Sequence, residues 1–122
     1  MTFIKGKVFF STSEFDKQWE ALGLDLEDLR LPENQIVNNP QAGAVIKGTG
    51  GLRKIRFALD NKGKSGGVRV LYVDFVVFER VYFITVYPKS QKDDISMAEK
   101  KLFKQIIEQT KNELRKAGNK HG

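Results

Sequence analysis

Three runs at strand period, 53–59, 67–75 and 80–87, follow one another with links of seven and four residues. A parallel return needs a crossover of a dozen or more residues, so these three strands must pair as an antiparallel meander. In the first run Arg53, Ile55, Phe57 and Leu59 point one way, and Lys54, Arg56 and Ala58 the other. The other two, GVRVLYVDF and RVYFITVY, are rich in the Val, Ile, Phe and Tyr that favour a pleated surface.

The remainder is arranged around that sheet. FIKGKVFF (3–10) reads as a first strand. Ser11 to Glu14 reads as a capping box for a helix that buries Phe15, Trp19 and Leu22 and stops at Gly23. Leu26, Leu29, Ile36 and Val37 predict a second helix, kinked or split at Pro32 and ended by Asn38-Asn39-Pro40. Asp60 to Gly66 reads as a hairpin loop, and Pro88 to Ile95 as another loop. Ser96 and Glu99 form a second capping box, opening a helix that buries Leu102, Phe103, Ile106, Ile107 and Leu114 and stops near Gly118. The predicted fold is α+β, in the order β-α-α-β-β-β-α, with N-terminal helices and a C-terminal helix packed on an antiparallel sheet. Residues 1–117 form one domain, and 118–122 are expected to be a disordered tail.

Charge separates the chain into two surfaces. Residues 11–46 hold seven acids and two bases, whereas 47–69 hold seven bases (Lys47, Arg53, Lys54, Arg56, Lys62, Lys64, Arg69) and one acid, Asp60. That short window alone equals the net charge of +6 of the whole chain. Apolar residues run through it, so the cations stand on folded strands, and such a surface suits a polyanion, nucleic acid first. Cysteine is absent, and the sole histidine, His121, lies in the terminal KHG. Thiolate metal sites, disulfides and histidine acid–base pairs are thereby excluded, and no metal or other cofactor is expected. No apolar run approaches the ~20 residues of a membrane span. The first residues also lack a signal peptide's long apolar region, so a cytoplasmic protein without membrane contact is expected.

Two phosphate-binding patterns fail on inspection. Gly63-Lys64-Ser65 imitates the end of a P-loop, but Ala58 stands where its first glycine belongs and no helix follows. Gly48-Thr49-Gly50 would need a third glycine where Arg53 stands. A better match covers GTGGLRKIRFA (48–58), KGKSGGVRVLY (62–72) and FITVYPKSQKDDIS (83–96). Over about residues 3–112 the chain resembles the RelE/HigB family of toxins from bacterial type II toxin–antitoxin systems, in its HigB-like branch.

The resemblance implies a ribosome-dependent mRNA interferase, which cuts messages in the A site by attack of a ribose 2′-hydroxyl on the adjacent phosphate. It also implies two kinds of partner, the ribosome with its message and a cognate, DNA-binding helix-turn-helix antitoxin. The two basic positions of the family's strand motif fall on Lys54 and Arg56, the phosphate-binding arginine on Arg69 with Tyr72 completing its segment, and the basic residue after the third strand on Lys89. At the family's C-terminal aromatic or histidine the residue-by-residue match stops, the alignment there reaching Ile95, which leaves Tyr87, Tyr72 and Lys92 as substitutes for stacking and leaving-group protonation.

Elementary chemistry points the same way. Lys54 and Arg56 share one strand face, and a lysine crowded by Arg56 and Arg69 should lose its proton more readily and serve as a base. Guanidinium forks match phosphate oxygens in pairs. Taken alone, cations on a solvated strand face serve solubility or edge protection. Arg53, on the apolar side, is expected to pair near the sheet margin and to reach RNA with Lys62 and Lys64 from the loop. Asp93 and Asp94 read as favourable charge before the last helix. Two other classes fit the fold, a non-catalytic toxin that binds DNA gyrase like the ParE relatives and a non-catalytic RNA-binding module.

Overall fold

The computed structural model describes the backbone of residues 2–59 and 64–119, and the side chains of 2–58 and 67–118. The first strand is two: β1 (Thr2–Ile4) and β2 (Lys7–Ser11) form a hairpin in which Ile4 faces Lys7. Its two turn residues, Lys5 (φ 48°) and Gly6 (φ 84°), both take the left-handed conformation that a two-residue hairpin turn demands.

Helix α1 (Ser13–Ala21) follows directly, capped one residue later than expected: Thr12 Oγ1 accepts from the Phe15 amide at 3.0 Å, while Ser11 ends β2. Helix α2 (Leu26–Asn38) opens on a reciprocal box between Asp25 and Asp28, with bonds of 2.9 and 3.0 Å. Pro32 sits inside α2 without splitting it, its ring buried beside Glu33 and Ile36. Burial of that face outweighs the one donor proline lacks.

Strands β3 (Ala44–Val45), β4 (Arg53–Leu59), β5 (Lys64–Phe75) and β6 (Arg80–Pro88) complete a six-stranded sheet in the order β1-β2-β6-β5-β4-β3. The β4–β5–β6 meander is antiparallel as predicted, but β2 runs parallel to β6, Val8 against Arg80 through Ser11 against Phe83. Beyond Phe83 the open edge of β6 is closed by α1. Thr12 donates through Oγ1 to the Ile84 carbonyl at 2.7 Å, and Gln18 Oε1 accepts from the Val86 amide at 3.2 Å and Thr85 Oγ1 at 2.6 Å. At the β4–β5 turn the register shifts between Phe57 and Leu59, and Gly67 (φ +72°) makes that shift possible. A Cβ there would run into the Phe57 carbonyl.

The sheet has a core on each face. Against α1 and α2, Phe9, Phe15, Trp19 and Phe83 stack with centroids 5.0–5.7 Å apart, above Ile55, Val68, Val70 and Tyr72. On the other face helix α3 (Met97–Asn119) lays Phe103, Ile107 and Leu114 on Leu52, Leu71, Val73 and Ile84. Its start is the predicted box, with Glu99 accepting from the Ser96 amide at 3.0 Å and Ser96 Oγ accepting from the Glu99 amide at 3.1 Å.

Candidate functional site

Register brings the cations together. Arg56 on β4 lies opposite Arg69 on β5, and Arg69 opposite Tyr87 on β6, so three adjacent strands carry a row across the α3 face of the sheet. Lys54 stands two residues along β4 on the same side. Strands are spaced about 4.8 Å apart, so the row is built to the scale of one phosphodiester and its neighbours.

The environments differ along the row. Arg56 is exposed, whereas Arg69 is 2% exposed and Tyr87 is buried. The loop after β6 crosses over them. Asp93 Oδ1 accepts from Arg69 Nε at 3.2 Å and lies 3.2 Å from Nη2. The Asp93 carbonyl accepts from Lys54 Nζ at 3.1 Å and from Tyr87 Oη at 3.2 Å. Asp94 Oδ1 accepts from Lys54 Nζ at 2.9 Å. That hydrogen bond, with the lysine's charge, holds the Asp94 carboxyl below the usual range. Burial, reinforced by the Asp94 charge, pushes the Tyr87 phenol up to about 12, so Tyr87 keeps its proton and acts as a donor. The crowding of Lys54 by arginines alone, expected from sequence, gives way to an amine held between two acceptors of the loop.

Other predicted residues lie elsewhere. Arg53 points to the opposite side, where Nη1 donates to the carbonyls of Gly43 at 2.7 Å and Gln41 at 3.4 Å, rather than to an acid. Tyr72, fully buried, donates to the Pro40 carbonyl at 2.8 Å and accepts from the Gly43 amide at 3.1 Å. Together they bolt down the segment before β3; Tyr72 has no exposed surface, whereas Arg53 is half-buried. Lys89 is exposed just past β6, its amide on the Gly67 carbonyl at 3.2 Å. Lys92 lies over the Tyr87 ring, 4.9 Å from its centroid, and pairs with Glu99 at 2.7 Å. Lys62 lies outside the described residues; Lys64 contributes its backbone to the start of β5.

What the sequence reading missed is the acidic loop. Asp93 and Asp94 are the one adjacent acid pair in the basic second half of the chain, and that was the available signal. A cavity of about 500 Å³ opens on the other face, lined by Phe9, Phe15, Trp19 and Phe83 with the carboxylates of Asp16, Glu20 and Glu33. No cation lines it, so an anionic substrate has no reason to enter. Among the described residues no three potential metal ligands converge, and no helix is long and apolar enough to cross a membrane.

The profile of one protein family, described as the RelE toxin of the RelE/RelB toxin–antitoxin system, matches residues 7–120. Two solved structures share the fold at low identity. The isolated E. coli RelE toxin superimposes with a TM-score of 0.50 at 20% identity, over 82% of this chain and 98% of its own. An E. coli RelE mutant in the free state gives 0.52 at 18% identity, over 71% of this chain and 87% of its own.

Proposed function

We propose, from the premise that this chain belongs to the RelE toxin family and is the toxin of a toxin–antitoxin system, that it is a metal-independent endoribonuclease. Its substrate is messenger RNA on the ribosome, and a cognate antitoxin, a helix-turn-helix DNA-binding protein, neutralises it in the cytoplasm. The observation that carries this reading is the row Arg56–Arg69–Tyr87 with Lys54 beside it, four side chains able to donate hydrogen bonds, on three paired strands.

Lys54 takes the proton of a ribose 2′-hydroxyl. The oxygen attacks the adjacent phosphorus, the bond to the 5′-oxygen breaks, and the departing oxygen takes a proton from water as a 2′,3′-cyclic phosphate forms. Arg56 and Arg69 match the non-bridging oxygens, where negative charge grows in the transition state. Tyr87, protonated up to about 12, adds a neutral donor to the same oxyanion. Lys89 and Lys92 extend the positive rim toward the flanking phosphates. The set lacks a histidine in the described fold, so the in-line geometry must be imposed on the message from outside, which accounts for several kcal/mol of such a barrier. A decoding site that splays the message supplies it.

The test is end-labelled message in a reconstituted translation mix. Cleavage should require ribosomes, persist when EDTA is added at levels that leave ribosomes intact, and vanish in Lys54→Ala. Rapid cutting of unstructured RNA by the pure protein would reject the mechanism. Absence of cutting with ribosomes present would reject the activity.

A further inference from the structure

The loop between β6 and α3 does more than connect them. It is tethered on both sides, by a turn in which the Gln91 amide bonds the Pro88 carbonyl at 3.0 Å and by Ile95, buried in the α3 core. Between these anchors Asp93 and Asp94 turn back onto the sheet and occupy three of the four polar groups of the row. Arg69 presents Nε and Nη2, the forked edge a phosphate would use, to Asp93 Oδ1. Lys54 donates both to Asp94 Oδ1 and to the Asp93 carbonyl, which also receives Tyr87 Oη.

Carboxylate and phosphate oxygens compete for the same donors, and here the carboxylates hold them. We propose that Asp93 and Asp94 form a built-in anion that occupies Lys54, Arg69 and Tyr87 in the resting protein, and that single-stranded RNA takes the site by displacing it. The inference rests on reading the row as a phosphate site. Exposure supports displacement: the Arg69 side chain is 2% exposed and Lys54 16%, yet their covers, Asp93 at 53% and Asp94 at 82%, face solvent. A thin acidic strap lies over a buried guanidinium, which no phosphate reaches until the strap lifts. The low protonation tendency of Asp94 agrees, since that carboxylate stays charged and stays paired.

The test is the affinity of free protein for a short, single-stranded 2′-O-methyl RNA, which cannot be cleaved, measured by fluorescence anisotropy. Asp93→Asn with Asp94→Asn removes two negative charges, so the comparison is with Glu20→Gln plus Glu27→Gln, exposed acids on α1 and α2 with the same charge change. The strap variant should bind about tenfold tighter than that control, the worth of one charge-assisted contact no longer contested. Asp94→Asn alone, at an exposed side chain the fold does not need, should give a smaller gain in the same direction and stands in if the double variant fails to fold. Affinity no better than the control would overturn the inference. So would lost cleavage at unchanged affinity, which would make these carboxylates part of the chemistry. Tighter binding by the strap variant without ribosomal cleavage by the parent would leave the strap standing and remove the nuclease reading.

Discussion

At the scale of the residue, the site depends on side chains whose direction alternation already set. Lys54 and Arg69 were legible because period two assigns each a face and because both fall on a recognisable basic block. The same rule argued against Tyr72: three residues from Arg69 on one strand, it had to face the other way, and it lies in the opposite core. Arg53 likewise faces away from Lys54, and its fork went to backbone carbonyls. Asp93 and Asp94 stood out as an acid pair, but their role over the row was not legible, since their partners lie 24 and 40 residues away and acids before a helix have an ordinary reading. Arg69→Lys keeps a cation beside Asp93 but loses the fork, so cleavage should fall by ~10²-fold with circular dichroism unchanged. Cleavage near the parent rate would show that charge alone suffices. Tyr87→Phe should lower turnover by roughly tenfold, less than loss of a charged donor, and leave the pH profile between 6 and 9 unshifted, because a phenol held up to about 12 does not titrate there.

At the scale of the element, β4 matched its predicted span of 53–59 because its alternation is unbroken. The N-terminal hairpin was missed because Lys5-Gly6 interrupts an otherwise continuous strand pattern. The parallel β2–β6 pair was missed because nothing local encodes the direction of a partner more than 70 residues away. Two substitutions probe these elements. Gly67→Ala forces a side chain into the left-handed region and against the Phe57 carbonyl, and should lower Tm by at least roughly 5 °C; an unchanged melting curve would mean the β4–β5 register is free to slip. On α2, burial raises the Glu33 carboxyl above its ordinary value, against the opposing pull of Arg30. A raised carboxyl costs stability when ionised at neutral pH and nothing once protonated. Glu33→Gln should therefore stabilise the fold at pH 7, with the gain shrinking as pH falls through the raised value toward 4.5. Thermal melts across that window check the sign, and a gain that grows in acid would refute it.

At the scale of the whole molecule, the two faces carry opposite charge, acids over α1 and α2 and cations on the α3 side. RNA affinity should follow salt accordingly: replacing Lys62 and Lys64 with Ala should flatten the dependence on log salt by about 0.7 per lost phosphate contact on a single strand, while turnover on the ribosome changes far less than in Lys54→Ala. Equal losses of turnover would shift the chemistry to the loop. Chain order adds a last consequence. The row is assembled from β4, β5 and β6, and β6 itself needs β2 along its first half and Gln18 along its second. A growing polypeptide that has not yet emerged as far as Tyr87 holds a hairpin waiting for its neighbour and a sheet without its third donor. The row of Arg56, Arg69 and Tyr87 is therefore complete only once β6 has left the ribosome and paired with β5.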